Sequence, residues 1–219
     1  MKSLNIYKQK FKEFGVSPQA LQWKSKGAAH QRFRQFWSEI DFDDKNVLDV
    51  GCGFGEMGNF LTKRYKNVKY KGVDIMPEFI ENGKKIYPAL DLETADYFGH
   101  PLPETFDTII CSGALNSNYG SNTHNRIFRQ NAIKTMFDHT SNVLAFNMLG
   151  GHPAMENKHS FTSLKQSLPD GGKKESNIWY SDSLEILEYC MSLTRRVIMR
   201  HHYHPSDFTI FMYKVKEKH

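Results

Sequence analysis

Residues 46–56 read Asn46-Val47-Leu48-Asp49-Val50-Gly51-Cys52-Gly53-Phe54-Gly55-Glu56, a short apolar run that breaks into three closely spaced glycines. A run of this kind is typical of a parallel strand that is buried on both faces. Met57, Phe60 and Leu61 follow at helical spacing. The segment therefore predicts a strand, a glycine turn and a helix with free N–H groups at its start, where the backbone can approach a ligand closely.

An acidic residue ends the next predicted strand, which covers residues 68–74. This residue, Asp74, lies 23 positions after Gly51. In nucleotide-binding folds an acid about 20 residues beyond the glycine turn accepts hydrogen bonds from ribose hydroxyls. The turn and the acid together therefore predict an adenosine-containing ligand at the carboxyl edge of the sheet.

Strands and helices alternate through most of the remaining chain. Apolar strand runs occupy 106–111 and 143–147, and helical spacing marks the regions 77–86, 125–139 and 184–191. Such alternation predicts a parallel sheet with helices on both faces.

The C-terminal end breaks this alternation. Strand-like segments at 196–202 and 208–213 are separated only by Tyr203-His204-Pro205-Ser206-Asp207. Five residues are too few for a parallel crossover, so the two segments are predicted to form an antiparallel hairpin. The expected fold class is α/β: a doubly wound, mostly parallel, seven-stranded sheet with an antiparallel C-terminal hairpin and a helical N-terminal prelude.

The chain is expected to form a single domain, residues 1–219, in two parts. Residues 1–44 carry apolar residues at helical spacing and predict the helical prelude. Residues 45–219 are the predicted Rossmann-like core. Within the core, the polar stretch near 150–180 contains a Pro-Asp-Gly-Gly turn signal and is interpreted as a lid loop, with an ordinary solvated loop as the alternative.

The composition limits the possible classes of protein. The net charge is +5, from 29 basic and 24 acidic residues dispersed along the chain, and the mean hydropathy is −0.58. No apolar run approaches the roughly 18 residues of a membrane helix, and the lysine-rich start differs from a secretory signal. Three scattered cysteines without C-x-x-C spacing favour a reducing, cytoplasmic location without a membrane partner.

In its motifs and topology the chain resembles small bacterial members of the class I S-adenosylmethionine-dependent methyltransferases. Gly51-Cys52-Gly53-Phe54-Gly55 is similar to the first motif of that family, and Val73-Asp74-Ile75 is similar to the second. The resemblance covers roughly residues 45–215 in topology and is specific for residues 47–74. It implies S-adenosylmethionine as the cofactor and methyl transfer to an acceptor as the reaction.

The resemblance also implies residues that hold the cofactor near the glycine turn. Asp49 would face the methionine amino group, directly or through water. Gly51 and Gly53 would let the backbone pack beside the cofactor, and Asp74 would hold the ribose. Ser112 would line the methionine side.

A second implied set lies at the two ends of the pocket. Ile75 would cover the adenine, and Asp96 and Tyr97 fall where the third strand of the family ends, with a plain loop acid as the alternative for Asp96. Trp23 and Arg32 of the prelude would cap the pocket, although ordinary packing explains Trp23 equally well.

A nicotinamide dehydrogenase is the main alternative, because its cofactor also carries ribose. The G-x-G-x-x-G motif of such enzymes brings a helix N-terminus to a pyrophosphate. Counted from Gly51, the last position of that motif is Glu56, an anion beside the expected diphosphate. S-adenosylmethionine has no phosphate, so these residues favour the methyltransferase.

Groups that align a methyl acceptor are expected after the fourth, fifth and sixth strands. Asn116 is the candidate for orienting the acceptor. His152 and His204 are candidate general bases, with exposed loop histidines as the alternative. No metal site is predicted, because on a strand His202 and His204 share one face while His201 points to the other.

A small-molecule acceptor is the first expectation, since no nucleic-acid-binding module is recognisable. The positive charge leaves an RNA acceptor open. A module that binds S-adenosylmethionine without catalysis is the third possibility. Amino-group methyltransferases acting on DNA bases carry an Asn/Asp-Pro-Pro-aromatic turn after the fourth strand, and Ser112-Gly113-Ala114-Leu115 differs from it.

Overall fold

The structure, a computed structural model, describes residues 2–23, 25–150 and 178–215. In this part of the chain seven strands form one sheet. The strands are β1 (Asn46–Val50), β2 (Lys69–Asp74), β3 (Asp91–Thr94), β4 (Phe106–Ser112), β5 (Thr140–Leu149), β6 (Val197–Arg200) and β7 (Asp207–Tyr213).

The strand order is β3-β2-β1-β4-β5-β7-β6. The five strands from β3 to β5 in this order pair in parallel, and β7 is antiparallel to both of its neighbours. β6 and β7 form the predicted antiparallel hairpin, with β7 inserted between β5 and β6. The predicted α/β fold class is therefore confirmed.

Helices accompany the sheet. Those of the described residues are α1 (Lys2–Phe14), α2 (Lys26–Trp37), α3 (Glu56–Thr62), α4 (Pro77–Ile86), α5 (Asn122–Asp138) and α6 (Ser183–Leu193), with short 3-10 helices at Pro18–Leu21 and Ala114–Asn116. Within the described ranges, each helix is too short or too polar to cross a membrane.

The central strands owe their position to apolar side chains on both faces. Every residue of β1 except Asn46 is buried, and every residue of β4 except Asp107 is buried. α5 covers one face through buried residues at spacings of three and four, as expected of an amphipathic helix. The core therefore lies on both sides of the β1–β4 pair, and the loops after these strands meet at one edge.

The prelude packs over that edge. Phe11 and Tyr7 of α1 make edge-on contacts with Phe79 of α4, with ring centroids 5.8 and 6.1 Å apart. Gly15 ends α1 with a φ of +58°, a conformation that favours glycine. The helical prelude predicted for residues 1–44 is thus present, and it forms one wall of the site described below.

Two element bounds differ from the sequence prediction for local reasons. α2 begins at Lys26 rather than near Ala28, because the Ser25 side chain caps the helix by accepting a hydrogen bond from the Ala28 N–H. β5 runs from Thr140 to Leu149 rather than 143–147, because its far end pairs with β7, a long-range partner that the local pattern does not contain.

The turns after β1 and β4 approach each other at Gly51. This residue has a φ of +76°, and a Cβ placed on it would lie 2.5 Å from the Ala114 Cβ. The backbone conformation and the close approach both require glycine.

We expect Gly51→Ala to destabilise the protein more than Gly15→Ala does. Both positions have a positive φ, which costs an L-residue roughly 1–2 kcal/mol. Only Gly51 adds a clash, and such overpacking costs about 1–3 kcal/mol more. Gly15 has no heavy atom within 4 Å of its Cβ position, so it is the matched control. Urea unfolding measures both variants, and equal losses would contradict the assigned contact.

Candidate functional site

A cavity of about 400 Å³ lies at the carboxyl edge of the sheet, between the loops after β1, β2 and β4. α1 and the α1–α2 connection form its outer wall through Tyr7, Leu21 and Trp23. Ligands of open α/β sheets bind at this position, at the carboxyl ends of the strands. The cavity is therefore the candidate functional site.

The glycine turn is fixed to the end of β2 by backbone and carboxylate contacts. The Asp74 carboxylate accepts a hydrogen bond from the Gly53 N–H at 2.9 Å and another from the Met76 N–H at 2.9 Å. The Gly51 N–H donates to the Val73 carbonyl at 2.8 Å. A Cβ on Gly53 would lie 2.9 Å from Leu21, so the prelude presses directly on the turn.

Asp74 is half-buried in the cavity wall, and its desolvation raises its pKa to about 6. The N–H groups of Met76, Gly53 and Ile75 act in the opposite direction by stabilising the carboxylate. A carboxylate has about four lone-pair sites on its two oxygens, and these three N–H groups leave at least one of them. The ionised group can therefore accept a hydrogen bond from a ligand hydroxyl while it still holds the turn.

The predicted adenine end lies on the other side of Asp74. Ile75 lines the cavity and is 44% exposed, so its side chain offers an apolar surface that a flat ligand could cover. Asp96 also lines it, and one of its oxygens accepts a hydrogen bond from the Gly99 N–H at 3.1 Å. The Tyr97 hydroxyl is buried without a hydrogen-bond partner among the described residues. The structure thus brings these three predicted residues together.

The opposite end of the cavity contains Ser112, Gly113 and Trp23. The Ser112 hydroxyl donates to the Asn147 side-chain oxygen at 2.9 Å, which ties the end of β4 to β5. Ser112 and Trp23 therefore both line the cavity, and their roles at the methionine end stay predictions.

Asp49 does not lie in the lining of the cavity. Val50 lines it, and successive residues of a strand point to opposite faces. The Asp49 carboxyl accepts a hydrogen bond from the Tyr70 hydroxyl at 2.7 Å, and burial raises its pKa to about 7. A raised pKa means that Asp49 costs folding stability as the pH rises from its ordinary value of 3.8 through about 7. A direct contact between Asp49 and the methionine amino group does not fit this position, whereas the contact through water stays a prediction.

Arg32 also lies outside the cavity lining, which corrects the expectation that it caps this pocket. Its guanidinium makes a two-pronged ion pair with Asp207 of β7, with N–O distances of 2.9 and 3.0 Å. It lines a smaller neighbouring pocket of about 40 Å³. The sequence showed the arginine but not its partner, which lies 175 positions away.

The smaller pocket adjoins the cavity and shares Tyr7, Trp23 and Gly113 with it. Asn116 lines the smaller pocket rather than the cavity, and its side-chain oxygen accepts a hydrogen bond from the Leu149 N–H at 2.8 Å. The expected position of Asn116, directly after β4, is therefore found.

Of the two candidate histidines, His204 is not brought to the site. His204 lies in the β6–β7 turn, lines neither cavity, and its Nδ1 accepts a hydrogen bond from the Ser206 N–H. This location corrects its proposed role as a general base. His152 lies outside the described residues. Almost all of the lid loop predicted near 150–180 also lies outside them, within residues 151–177.

Sequence reasoning missed Arg129, which is 1% exposed on α5. Its guanidinium donates to the Asn125 and Ser117 carbonyls at 2.8 Å, and burial lowers its pKa to about 10. Arg129 thereby holds the segment after β4 against α5. Its spacing from buried Asn125 and Ile133 was a usable signal, because it places the arginine on the apolar face of the helix.

The sequence analysis also missed Tyr7, because it treated residues 1–44 only as a helical segment with apolar residues at helical spacing. The ring lines both pockets, and burial, followed by the charge of Asp74, raises the pKa of its hydroxyl to about 12. Tyr7 therefore presents a protonated hydroxyl to the site at neutral pH.

Comparisons with known proteins agree with this geometry. Residues 47–145 match the model of a family described as a methyltransferase domain. Malonyl-[acyl-carrier protein] O-methyltransferase of Acetivibrio thermocellus is 25% identical over 157 residues, which cover 69% of this chain and 53% of the relative. (S)-Coclaurine N-methyltransferase of Thalictrum flavum is 33% identical over 73 residues, 31% of this chain and 20% of the relative. The chain spans less than two thirds of either relative.

A solved structure extends the likeness to the whole fold. Magnesium protoporphyrin IX methyltransferase from Synechocystis PCC 6803 with bound S-adenosylmethionine superposes with a TM-score of 0.63 at 13% identity, and 98% of each chain is covered. At this identity the likeness shows the fold alone.

The strand order, the glycine turn fixed by an acid after β2, and the match of residues 47–145 to a methyltransferase domain agree with one another. Together they support the resemblance of this chain to the class I S-adenosylmethionine-dependent methyltransferases. S-adenosylmethionine is the cofactor of this class, and the residues present fit it. Asp74 offers a carboxylate for ribose hydroxyls, Ile75 offers an exposed apolar side chain, and the Tyr97 hydroxyl has no hydrogen-bond partner among the described residues.

We expect the binding of S-adenosylhomocysteine, the demethylated cofactor, to weaken at low pH because Asp74 must be ionised. Above pH 7 the dissociation constant should be constant. Below about pH 6, the pKa of Asp74, it should rise up to roughly tenfold per pH unit, since binding must then displace a proton. Titration calorimetry measures the effect. Asp74→Asn is the control, expected to bind more weakly but with a flat profile, and a sloped profile in that variant would contradict the assignment.

Proposed function

We propose that this protein transfers the methyl group of S-adenosylmethionine to a small-molecule acceptor and releases S-adenosylhomocysteine. The observation that carries the proposal is the coupling of the Gly51–Gly53 turn to Asp74 inside a cavity of about 400 Å³. Sites for small organic ligands usually measure roughly 300–1,000 Å³, so this cavity has room for one molecule of cofactor size.

The proposal assigns a role to each of the predicted cofactor-binding residues in the cavity. Asp74 accepts hydrogen bonds from the ribose hydroxyls, and Ile75, Asp96 and Tyr97 enclose the adenine. Gly51 and Gly53 admit the backbone close to the ligand. Ser112 and Trp23 then line the methionine end. Bound S-adenosylmethionine supplies an electrophilic methyl on a sulfonium, and the chain aligns it toward the smaller pocket.

The proposed acceptor is a small molecule because the pocket that would receive its reacting group has a small volume. The pocket next to the methionine end measures about 40 Å³, enough for one functional group. The relatives reported above are named for malonyl-[acyl-carrier protein] and for (S)-coclaurine. An RNA acceptor, motivated by the net charge of +5, is tested beside the small molecules. The cytoplasmic location and the single-domain organisation stay predictions.

We expect S-adenosylhomocysteine to bind and NADH not to bind. Glu56 occupies the first turn of α3, where a dinucleotide would place its pyrophosphate, and Lys26 only partly offsets its charge at 3.5 Å. Repulsion between the carboxylate and the phosphates therefore disfavours NADH. Titration calorimetry compares the two ligands under one buffer. Binding of NADH with no response to S-adenosylhomocysteine would contradict the methyltransferase assignment.

We expect methyl-labelled S-adenosylmethionine to pass its label to a fraction of cellular small molecules, and not to RNA. Purified protein is incubated with separated metabolite and RNA pools, and the transferred label is counted. Asp74→Ala should lower the affinity for the cofactor tenfold to a hundredfold, since a charge-assisted hydrogen bond contributes about 1.5–3 kcal/mol. At limiting cofactor concentration, the transfer of label should fall in parallel. Gly15→Ala, remote from the cavity, is the matched control. Binding without transfer to any pool would support a non-catalytic module instead.

A further inference from the structure

We propose that the methyl acceptor is a carboxylate, bound in the smaller pocket and converted to its methyl ester. This inference rests on the proposed function and names the acceptor class of the same site. It follows from three features of the described residues: the position of the smaller pocket, its hydrogen-bond donors, and the types of side chain that line it.

The smaller pocket lies at the reacting end of the cavity. With ribose at Asp74 and adenine toward Asp96, the methionine part of the cofactor extends toward Ser112 and Gly113. Gly113 also lines the smaller pocket, together with Asn116 and Leu149. These residues lie just after β4 and at the end of β5, so an acceptor in this pocket would lie beside the methionine end of the cavity.

Two N–H donors converge beside Gly113. The Trp23 Nε1 and the Asn116 Nδ2 lie 3.7 and 3.6 Å from the position of a Gly113 Cβ. The orientation of the Asn116 amide is fixed, because its oxygen accepts from the Leu149 N–H and its nitrogen is left for the pocket. Since an indole and an amide NH2 only donate, this wall selects a group that accepts hydrogen bonds.

Arg32 adds donors of the same kind. Asp207 occupies its Nε and one Nη2 proton, and this ion pair fixes the plane of the guanidinium. The Nη1 protons have no hydrogen-bond partner among the described residues, and Arg32 lines the pocket. The carboxylate of Asp207 offsets most of the positive charge of Arg32. The selectivity of the pocket for an anion therefore comes from its oriented N–H donors. The described lining contains no carboxylate that would hold a cationic amine.

The described lining also lacks a general base. Asp74 and Asp96 are the carboxylates that line the two cavities, both on the cofactor side, and no histidine or lysine is among the described residues there. Tyr7 keeps its proton at neutral pH. An alcohol acceptor must lose a proton during transfer, whereas a carboxylate, with an ordinary pKa near 4, is already ionised.

The reaction then needs no proton transfer. A lone pair of the carboxylate oxygen attacks the methyl carbon, the carbon–sulfur bond breaks, and its electron pair stays on sulfur. The anion becomes a neutral ester and the sulfonium becomes a neutral thioether, so the charges cancel within the pocket. The donors on Trp23, Asn116 and Arg32 hold the second oxygen of the carboxylate and orient the first.

The test exploits the lability of methyl esters to alkali. Purified protein is incubated with methyl-labelled S-adenosylmethionine and a metabolite pool, and the product is treated with mild base. We expect the transferred label to leave as volatile methanol. Label that resists base, as in an ether, an N-methyl group or a phosphonate ester, would overturn the carboxylate while leaving the proposed function intact. Absence of any transfer would instead overturn the proposed function.

Variants of the pocket give a second readout. Asn116→Asp keeps the oxygen for the Leu149 N–H but puts a negative charge beside the acceptor, so transfer should fall at least tenfold while the affinity for S-adenosylhomocysteine changes less than twofold. Arg32→Lys should likewise lower transfer at least tenfold and change the affinity for S-adenosylhomocysteine less than twofold. Loss of S-adenosylhomocysteine affinity in both variants would assign these donors to the carboxylate of the cofactor and overturn the inference. Met191→Ala, at a side chain that is 59% exposed on α6 and lines neither cavity, is the control with unchanged transfer.

Discussion

The carboxylate of Asp74 is the contact on which the site depends. It accepts hydrogen bonds from Gly53 in the turn after β1 and from Met76 at the start of α4, so it joins two βα units at the point where a cofactor must lie. Without this contact the turn would have only the Gly51 and Cys52 N–H bonds to Val73 to fix it against β2. Desolvation in the cavity wall raises the pKa of this carboxyl, and the N–H groups that it holds act in the opposite direction by stabilising its charge.

The cofactor half of the site could be predicted because its information is local. Gly51, Gly53 and Asp74 lie within one βαβ unit, and each acts through backbone geometry that its residue type and position already restrict. The same holds for the terminal hairpin, where a five-residue connection leaves only antiparallel pairing. The sequence pattern therefore yields the fold class and eight of the 24 residues that line the cavity.

The errors share a physical cause: they depend on which long-range partner a polar side chain finds. Asp49 lies on the face of β1 opposite Val50, where Tyr70 of the neighbouring strand satisfies it. Arg32 is held by Asp207 near the other end of the chain, and His204 stays in the β6–β7 turn. Tyr7 looks like a core residue in its helical stripe, and only the docking of α1 over the sheet edge turns its hydroxyl to the site.

The two halves of the site therefore differ in how they are built. The cofactor half uses backbone groups of one βαβ unit, so few substitutions there are compatible with binding. The acceptor half is assembled from distant segments: Trp23 and Arg32 from the prelude, and Asn116 from the loop after β4, which Arg129 anchors at Ser117. Side chains supply its chemistry, so it can change without moving the glycine turn. The specificity of this protein is thus encoded in long-range packing, whereas its cofactor is encoded in a short motif.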